Sequence, residues 1–291
     1  MRRDPVPLTG PLPGTAASVR AVGRRGSFYL HGGRSTPSPP VLTDDLGTAV
    51  DLPRPPRRVV SLVPSLTEAL AETVPERLVG ATDWCTHPAG LDVPRVRGTK
   101  NPDRAAIAAL EPDLVVCNRE ENRRLDVDRL RAAGVPVWVT LIESVDEALT
   151  SMRRLFAEVL DVGEPGWLTT AAAEWARPVP APPRRVAVPV WRDPWMVVGP
   201  RTFTGDVLTR LGLVNVFGAG EDRYPHVSIE AVRAAGPDVV VLPDEPYVFT
   251  ADDGPEAFPG IRTALVSGRD LTWYGPSLGP ARQRLITAIR G

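Results

Sequence analysis

The sequence predicts an α/β protein with two Rossmann-like lobes, each a parallel sheet flanked by helices, joined by a single helical backbone with a cleft between them. Three observations point there. Past their first residue, the runs Arg58–Val63, Asp113–Cys117, Val135–Thr140 and Asp238–Leu242 are rich in Val and largely apolar without alternation, as strands covered on both faces must be. Helical stretches separate them, which is the order of a parallel sheet. A phrase also recurs. Ile107-Ala-Ala-Leu-Glu-Pro-Asp-Leu-Val-Val in one half matches Val232-Arg-Ala-Ala-Gly-Pro-Asp-Val-Val-Val in the other, with helix, Pro-Asp turn and buried strand in each.

Taken in order, residues 1–40 are rich in Pro, Gly, Ser and Arg without periodicity and read as a disordered leader. An N-terminal lobe spans 41–160. Asp44–Gly47 forms a turn between two short extended stretches, and Pro64 ends the strand Arg58–Val63. Ser65-x-x-Glu68 then reads as a capping box opening a helix whose apolar face is Leu66, Ala69 and Leu70. The strand Leu78–Thr82 runs into the loop Asp83–Pro88, and Asp103 starts the helix Arg104–Leu110. A charged helix over about 121–133 and another over about 144–160 complete the lobe. Residues 161–183 are a bridging helix, about 164–176, and a Pro-rich strut over 178–183. The C-terminal lobe, 184–291, carries the strands Val186–Val190, Met196–Val198 and Asp238–Leu242 and the helix Gly205–Leu211.

Composition excludes several partners. With 34 basic and 35 acidic side chains the formal charge is −1, and Lys100 is the sole lysine. Neither nucleic acid nor an anionic membrane is called for. No run approaches the ~20 apolar residues of a spanning helix. Arg2 and Arg3 are followed by Pro5, Pro7, Pro11 and Pro13, so no apolar signal segment forms, and no cysteine before Cys85 offers a lipid anchor. A cytoplasmic location is the expectation. Cys85 and Cys117 are expected as reduced thiols, a disulfide being the alternative. G-x-S-x-G, H-E-x-x-H and phosphate-loop patterns are absent, so no catalytic residues and no catalytic cofactor are expected. Asp83, Glu120 and Glu121 read as solvated loop or helix-cap charges.

The strings VVSLVPSLTE, GATDWCTHP, RGTKNPDRAAIAALEPDLVV and NREENRRLDVDRLRAAGVPVWV, with WRDPWMVVGPRTFTGDVLTRLGLVNVF, YPHVSIEAVRAAGPDVVVL and LTWYGPSLGPARQRL, together resemble the iron-siderophore and vitamin B12 substrate-binding proteins of ABC importers. The likeness runs from about Val41 to Gly291 and is most similar to the cobalamin-binding branch. It implies two lobes on a helical backbone and non-catalytic binding of a cobalamin-like corrinoid or related metal chelate between them. By this resemblance, Trp84, Tyr224 and Trp273 stand where the cobalamin binders present aromatics to the ligand.

The residues supply a site of their own. Strand-end loops carry Trp84, Trp191, Trp195, Tyr224, Trp273 and Tyr274, whose faces suit a large flat ligand. Core burial is the competing reading, and it is adopted for Trp138, Trp167 and Trp175. Free N–H groups at the helix start by Ser65 could take a ligand oxygen, or Ser65 could be an ordinary cap. Cys85, His87 and His226 are candidate metal ligands, with solvated loop positions as the alternative. Binding of haem, a ferric siderophore or a metal ion through these three, or an enzymatic or scaffold role in cofactor metabolism, stand as alternative functions.

The resemblance also implies one exposed glutamate per lobe for docking an ABC permease. Glu230 matches in the second lobe, eight residues before Asp238 of the Pro-Asp turn; the same count back from Asp113 gives Ala105. Permease delivery is therefore in doubt.

Overall fold

The computed structural model describes residues 42–52 and 54–291. The expected leader, 1–40, lies outside the described residues. Among those described, two four-stranded parallel sheets dominate. The first has the order Leu78–Ala81, Val59–Ser61, Leu114–Asn118, Val137–Thr140. The second has the order Leu213–Asn215, Arg184–Ala187, Val239–Pro243, Arg262–Val266. Counted along the chain, both are 2-1-3-4. Each therefore has its crevice at the carboxyl ends of its first and third strands, where the connections part to either side.

The repeated Pro-Asp phrase has a physical purpose in each lobe. The Asp113 carboxylate accepts from the N–H groups of Arg57 (2.9 Å) and Arg58 (3.2 Å). The Arg58 guanidinium donates to the Leu110 carbonyl at 2.6 Å, covering the end of the helix Arg104–Ala109. In the second lobe Asp238 accepts from the Arg185 N–H (2.7 Å), and Arg185 donates to the carbonyls of Ala235 (2.6 Å) and Gly236 (3.0 Å). Each pair fixes the start of a third strand beside the start of a first. Upstream, Asp103 caps its helix by accepting from Ala105 and Ala106, and Ser228 caps Ile229–Ala234 by accepting from Ala231. Ala105 and Glu230 thus occupy the same helix position, two past the cap.

Between the sheets, the helix Val145–Arg153, capped by Ser144, continues as a π-helical turn over Arg154–Val159. The helix Gly166–Trp175 follows, and the C-terminal helix Leu278–Arg290 packs on it. Trp175 donates its indole N–H to the Leu278 carbonyl at 2.8 Å. The strut is held by the same C-terminal helix: Arg282 donates to the Arg177 and Pro178 carbonyls, and Arg290 to that of Pro182. One apolar core runs from Val59, Leu114 and Trp138 through Phe156 and Leu168 to Val186 and Val241. Trp138, Trp167 and Trp175 belong to it or pack against it, as expected.

One local expectation fails. The Ser65-x-x-Glu68 box does not form: the helix Pro64–Thr73 starts two residues earlier, behind Val63, with no side-chain cap. Pro64, having no N–H, suits that first turn, and Glu68 is left for another role. Pro165 is the residue immediately before the bridging helix. No described helix is long and apolar enough to cross a membrane.

Asp113→Ala removes the acceptor of two backbone N–H groups and is expected to lower stability by about 1–2 kcal/mol, with the urea midpoint falling at unchanged slope. An unchanged midpoint would show that the repeated turn contributes nothing.

Candidate ligand-binding cleft

Loops at the carboxyl ends of the two sheets meet face to face. From the first lobe, Glu68 is buried and accepts from the Arg269 guanidinium and, at 2.9 Å, from the Ser277 hydroxyl, both second-lobe groups. Arg269 also stands over the Trp273 ring, 5.5 Å from its centroid, and Trp273 meets the edge of His87 at 5.3 Å. A second set lies past the third strand of the first sheet. Glu120 accepts from Arg223 (2.7 Å) and from the Tyr224 hydroxyl, while Arg223 also pairs with Glu143 at 3.2 Å. The approach is close. A Cβ added at Gly275 would lie 2.8 Å from the Ser65 carbonyl oxygen and 3.0 Å from the Glu68 carboxylate, so only glycine fits there without displacement.

Inside this contact, polar atoms are left without partners. Ser65 Oγ, the Tyr274 hydroxyl and Glu245 Oε1 are buried and make no hydrogen bond within the protein. Ser65, Glu121 and Thr140 surround the Tyr274 hydroxyl. Burial pushes the Glu121 carboxyl up to about 7, against the pull of Lys100, with Glu120 and Glu245 adding to the rise. Burial also raises Glu245, despite the Trp273 and Thr272 side chains beside it. His87 is lowered by burial and by Arg269, which favours the neutral imidazole. Tyr224 is raised by burial and by Glu120, so it serves as a hydrogen-bond donor.

The sequence-predicted residues divide. Ser65, Trp273 and Tyr274 come together at the lobe interface, Trp273 and Tyr274 being only 6% and 4% exposed. Tyr224 joins the interface through Glu120. Trp84 is 67% exposed, its indole next to Gly98, and Trp191 is 44% exposed, its ring meeting Tyr247 edge-on. Trp195 is a correction. It stacks on Phe249 and meets Phe258 inside the second lobe's own apolar cluster, so the core reading holds for it.

The metal candidates do not assemble. Cys85 is buried with its sulfur against the hydroxyls of Thr67 (3.0 Å) and Thr82 (3.1 Å), where burial raises the thiol pKa. His87 faces Trp273, and His226 is exposed beside Met196. No cluster of three or more His, Cys, Asp or Glu suited to a metal ion is found among the described residues. Cys85 and Cys117 are both free thiols, and burial pushes Cys117 up to about 12.

No family model matches the chain. Individual proteins do. The vitamin B12-binding protein of Vibrio campbellii is 25% identical over 198 residues, 64% of this chain and 70% of that protein. The vitamin B12-binding protein of Yersinia pestis is 26% identical over 196 residues, 64% of this chain and 69% of its own length. Among solved structures, the periplasmic vitamin B12-binding protein of Vibrio cholerae superposes with a TM-score of 0.66 at 20% identity, over 81% of this chain and 97% of that one. A periplasmic haem-binding protein in complex with two haems gives 0.66 at 27% identity, over 80% and 97%. The chain thus shares the fold of these binding proteins and is similar in sequence to the vitamin B12-binding ones.

The relatives and neighbours named here are binding proteins for vitamin B12 or haem. Several residues that shape this chain's cleft escape a reading of the sequence. Glu68 passes for a cap, and Glu120 and Glu121 for solvated charges, because nothing local marks an acid that faces the other lobe. One signal was present. Glu120, Glu121 and Glu245 lie two or three residues beyond the third strand of their sheets, where the strand order reverses.

The raised Glu121 sets a pH dependence. Between the ordinary carboxyl value near 4.5 and about 7 the folded state holds a proton that the unfolded chain has lost, so its contribution to stability declines as pH rises through that window. Urea midpoints measured from pH 4.5 to 8 should fall less steeply in Glu121→Gln than in the unaltered protein; identical slopes would contradict the assignment.

Proposed function

We propose that this protein holds a large, flat macrocycle between its lobes, a cobalamin-like corrinoid in the first instance, and binds it without chemistry. The observation that carries the proposal is the pairing of buried Trp273 and Tyr274 with unpartnered polar atoms at the lobe interface. A protein core seldom leaves several such atoms unsatisfied unless something else completes them. Aromatic faces give contact area at small entropic cost, and a few polar atoms orient the guest. Trp84, on a strand-end loop of the first lobe, and Trp191, the last residue of the strand Pro189–Trp191 in the second, are both exposed and are proposed to close over it. The vitamin B12-binding relatives support this choice of ligand.

Haem is the second reading, favoured by the likeness to a haem-binding structure at 27% identity. Capture of a bare metal ion by Cys85, His87 and His226 has no such support, since the three stand apart. The proposal stops at binding. Glu230 is an exposed carboxylate on the second lobe, but the equivalent helix position in the first is Ala105, and Asp103 is engaged in capping its own helix and pairing with Arg97 at 3.5 Å.

Titration with cyanocobalamin and with haemin, followed by tryptophan fluorescence, tests both readings. Saturable quenching by cyanocobalamin is expected, and no response to either compound would overturn the proposal. Trp84→Ala should weaken that binding about tenfold while changing stability by less than about 0.5 kcal/mol, as befits an exposed side chain. Unaltered affinity would remove Trp84 from the site.

A further inference from the structure

The charges at the lobe interface are unevenly matched. Arg223 is taken by Glu120 and Glu143, and Arg269 by Glu68. Lys100 donates to the Glu120 carbonyl at 2.5 Å. Arg119 faces Glu143 at 3.4 Å. Glu121 and Glu245 are different: neither forms an ion pair among the described residues, and Glu245 Oε1 is buried with nothing donating to it. Glu245 lies close against Gly268, where a Cβ would come within 2.7 Å of the Glu245 carbonyl oxygen. The interface therefore offers spare acceptors; Arg223 Nε and Arg269 Nε are also buried without an acceptor, but both guanidinium groups are already ion-paired, and Lys100 donates to a carbonyl.

This imbalance discriminates between ligands of similar shape. A guest bearing carboxylates would bring like charge against Glu121 and Glu245 without an unpaired arginine to receive it. A guest bearing N–H donors would complete Glu245 Oε1, with Ser65 Oγ and the Tyr274 hydroxyl free to accept or donate beside it. Resting on the macrocycle reading above, we infer that Glu121 and Glu245 are specificity-determining residues that accept from the neutral amide periphery of the ligand and turn away the same macrocycle carrying carboxylates. The ligand class is then an amide-decorated corrinoid and not a porphyrin dicarboxylate or an anionic ferric chelate. Hydrogen bonds to ionised acceptors are among the stronger ones, so the loss of one is expected to weaken binding by about tenfold or more.

The test compares cyanocobalamin with a corrinoid whose side-chain amides have been hydrolysed to carboxylates, and with haemin, by absorbance titration of the full chain at pH 8. The amide corrinoid should bind at least about tenfold more tightly than the carboxylate one, and the gap should narrow in Glu121→Gln and in Glu245→Gln. Equal affinity for the two corrinoids overturns the inference while the macrocycle reading stands. An undiminished gap in both variants overturns the assignment to these two residues. Binding of neither corrinoid, with or without binding of haemin, overturns the corrinoid reading and the inference together. The comparison on the unaltered protein decides the ligand class even if a variant fails to fold.

Discussion

The Glu68 carboxylate is the constraint around which the two lobes are arranged. It sits on a first-lobe helix, its side chain only 7% exposed, and both of its partners, Arg269 and Ser277, come from the second lobe. A carboxylate withdrawn from water without partners costs several kcal/mol, so its burial is tolerable only while the lobes hold Arg269 and Ser277 against it. The consequences spread outward. Arg269, once committed, lies over Trp273, and Trp273 is set against His87. Gly275 lets this backbone reach the Ser65 carbonyl. One buried charge thus fixes an aromatic surface and the closest approach of the two lobes.

The repeated architecture explains why the remaining acids collect in the same place. Both sheets run 2-1-3-4, and the Asp113 and Asp238 turns set the third strand beside the first in each. The carboxyl ends of those third strands then deliver Glu120 and Glu121 from one side and Glu245 from the other. Two roles emerge from one location. Glu120 is consumed by Arg223 and Tyr224 and ties the lobes, whereas Glu121 and Glu245 keep carboxyls that burial raises above their ordinary range. The helical backbone and the apolar core running through both lobes supply the stiffness against which these contacts are made.

Much of this was legible in the sequence, for identifiable reasons. The central strands could be read because strands covered on both faces are nearly pure Val and Leu, and the Pro-Asp phrase exposed the duplication. The edge strands Leu213–Asn215 and Arg262–Val266 escaped, being short or mixed with polar residues. The aromatics were legible as a set but not individually: Trp195 and Trp273 both sit in Pro- or Gly-rich loops, yet one fills its lobe's core and the other meets the opposite lobe. Pairing across lobes joins residues as far apart as Glu68 and Arg269, a tertiary fact that no local pattern encodes. A reading of Glu68 as a cap followed from a correct motif in the wrong frame, because Pro64 had already opened the helix.

Hydrogen exchange of the full chain with and without cyanocobalamin tests the central claim most directly, that the ligand site is the contact between strand-end loops of the two lobes. Protection concentrated in 62–68, 118–122, 243–247 and 268–275 is the expected result. Protection confined to the strut and the outer face of the C-terminal helix, or none in the presence of saturating ligand, would contradict it.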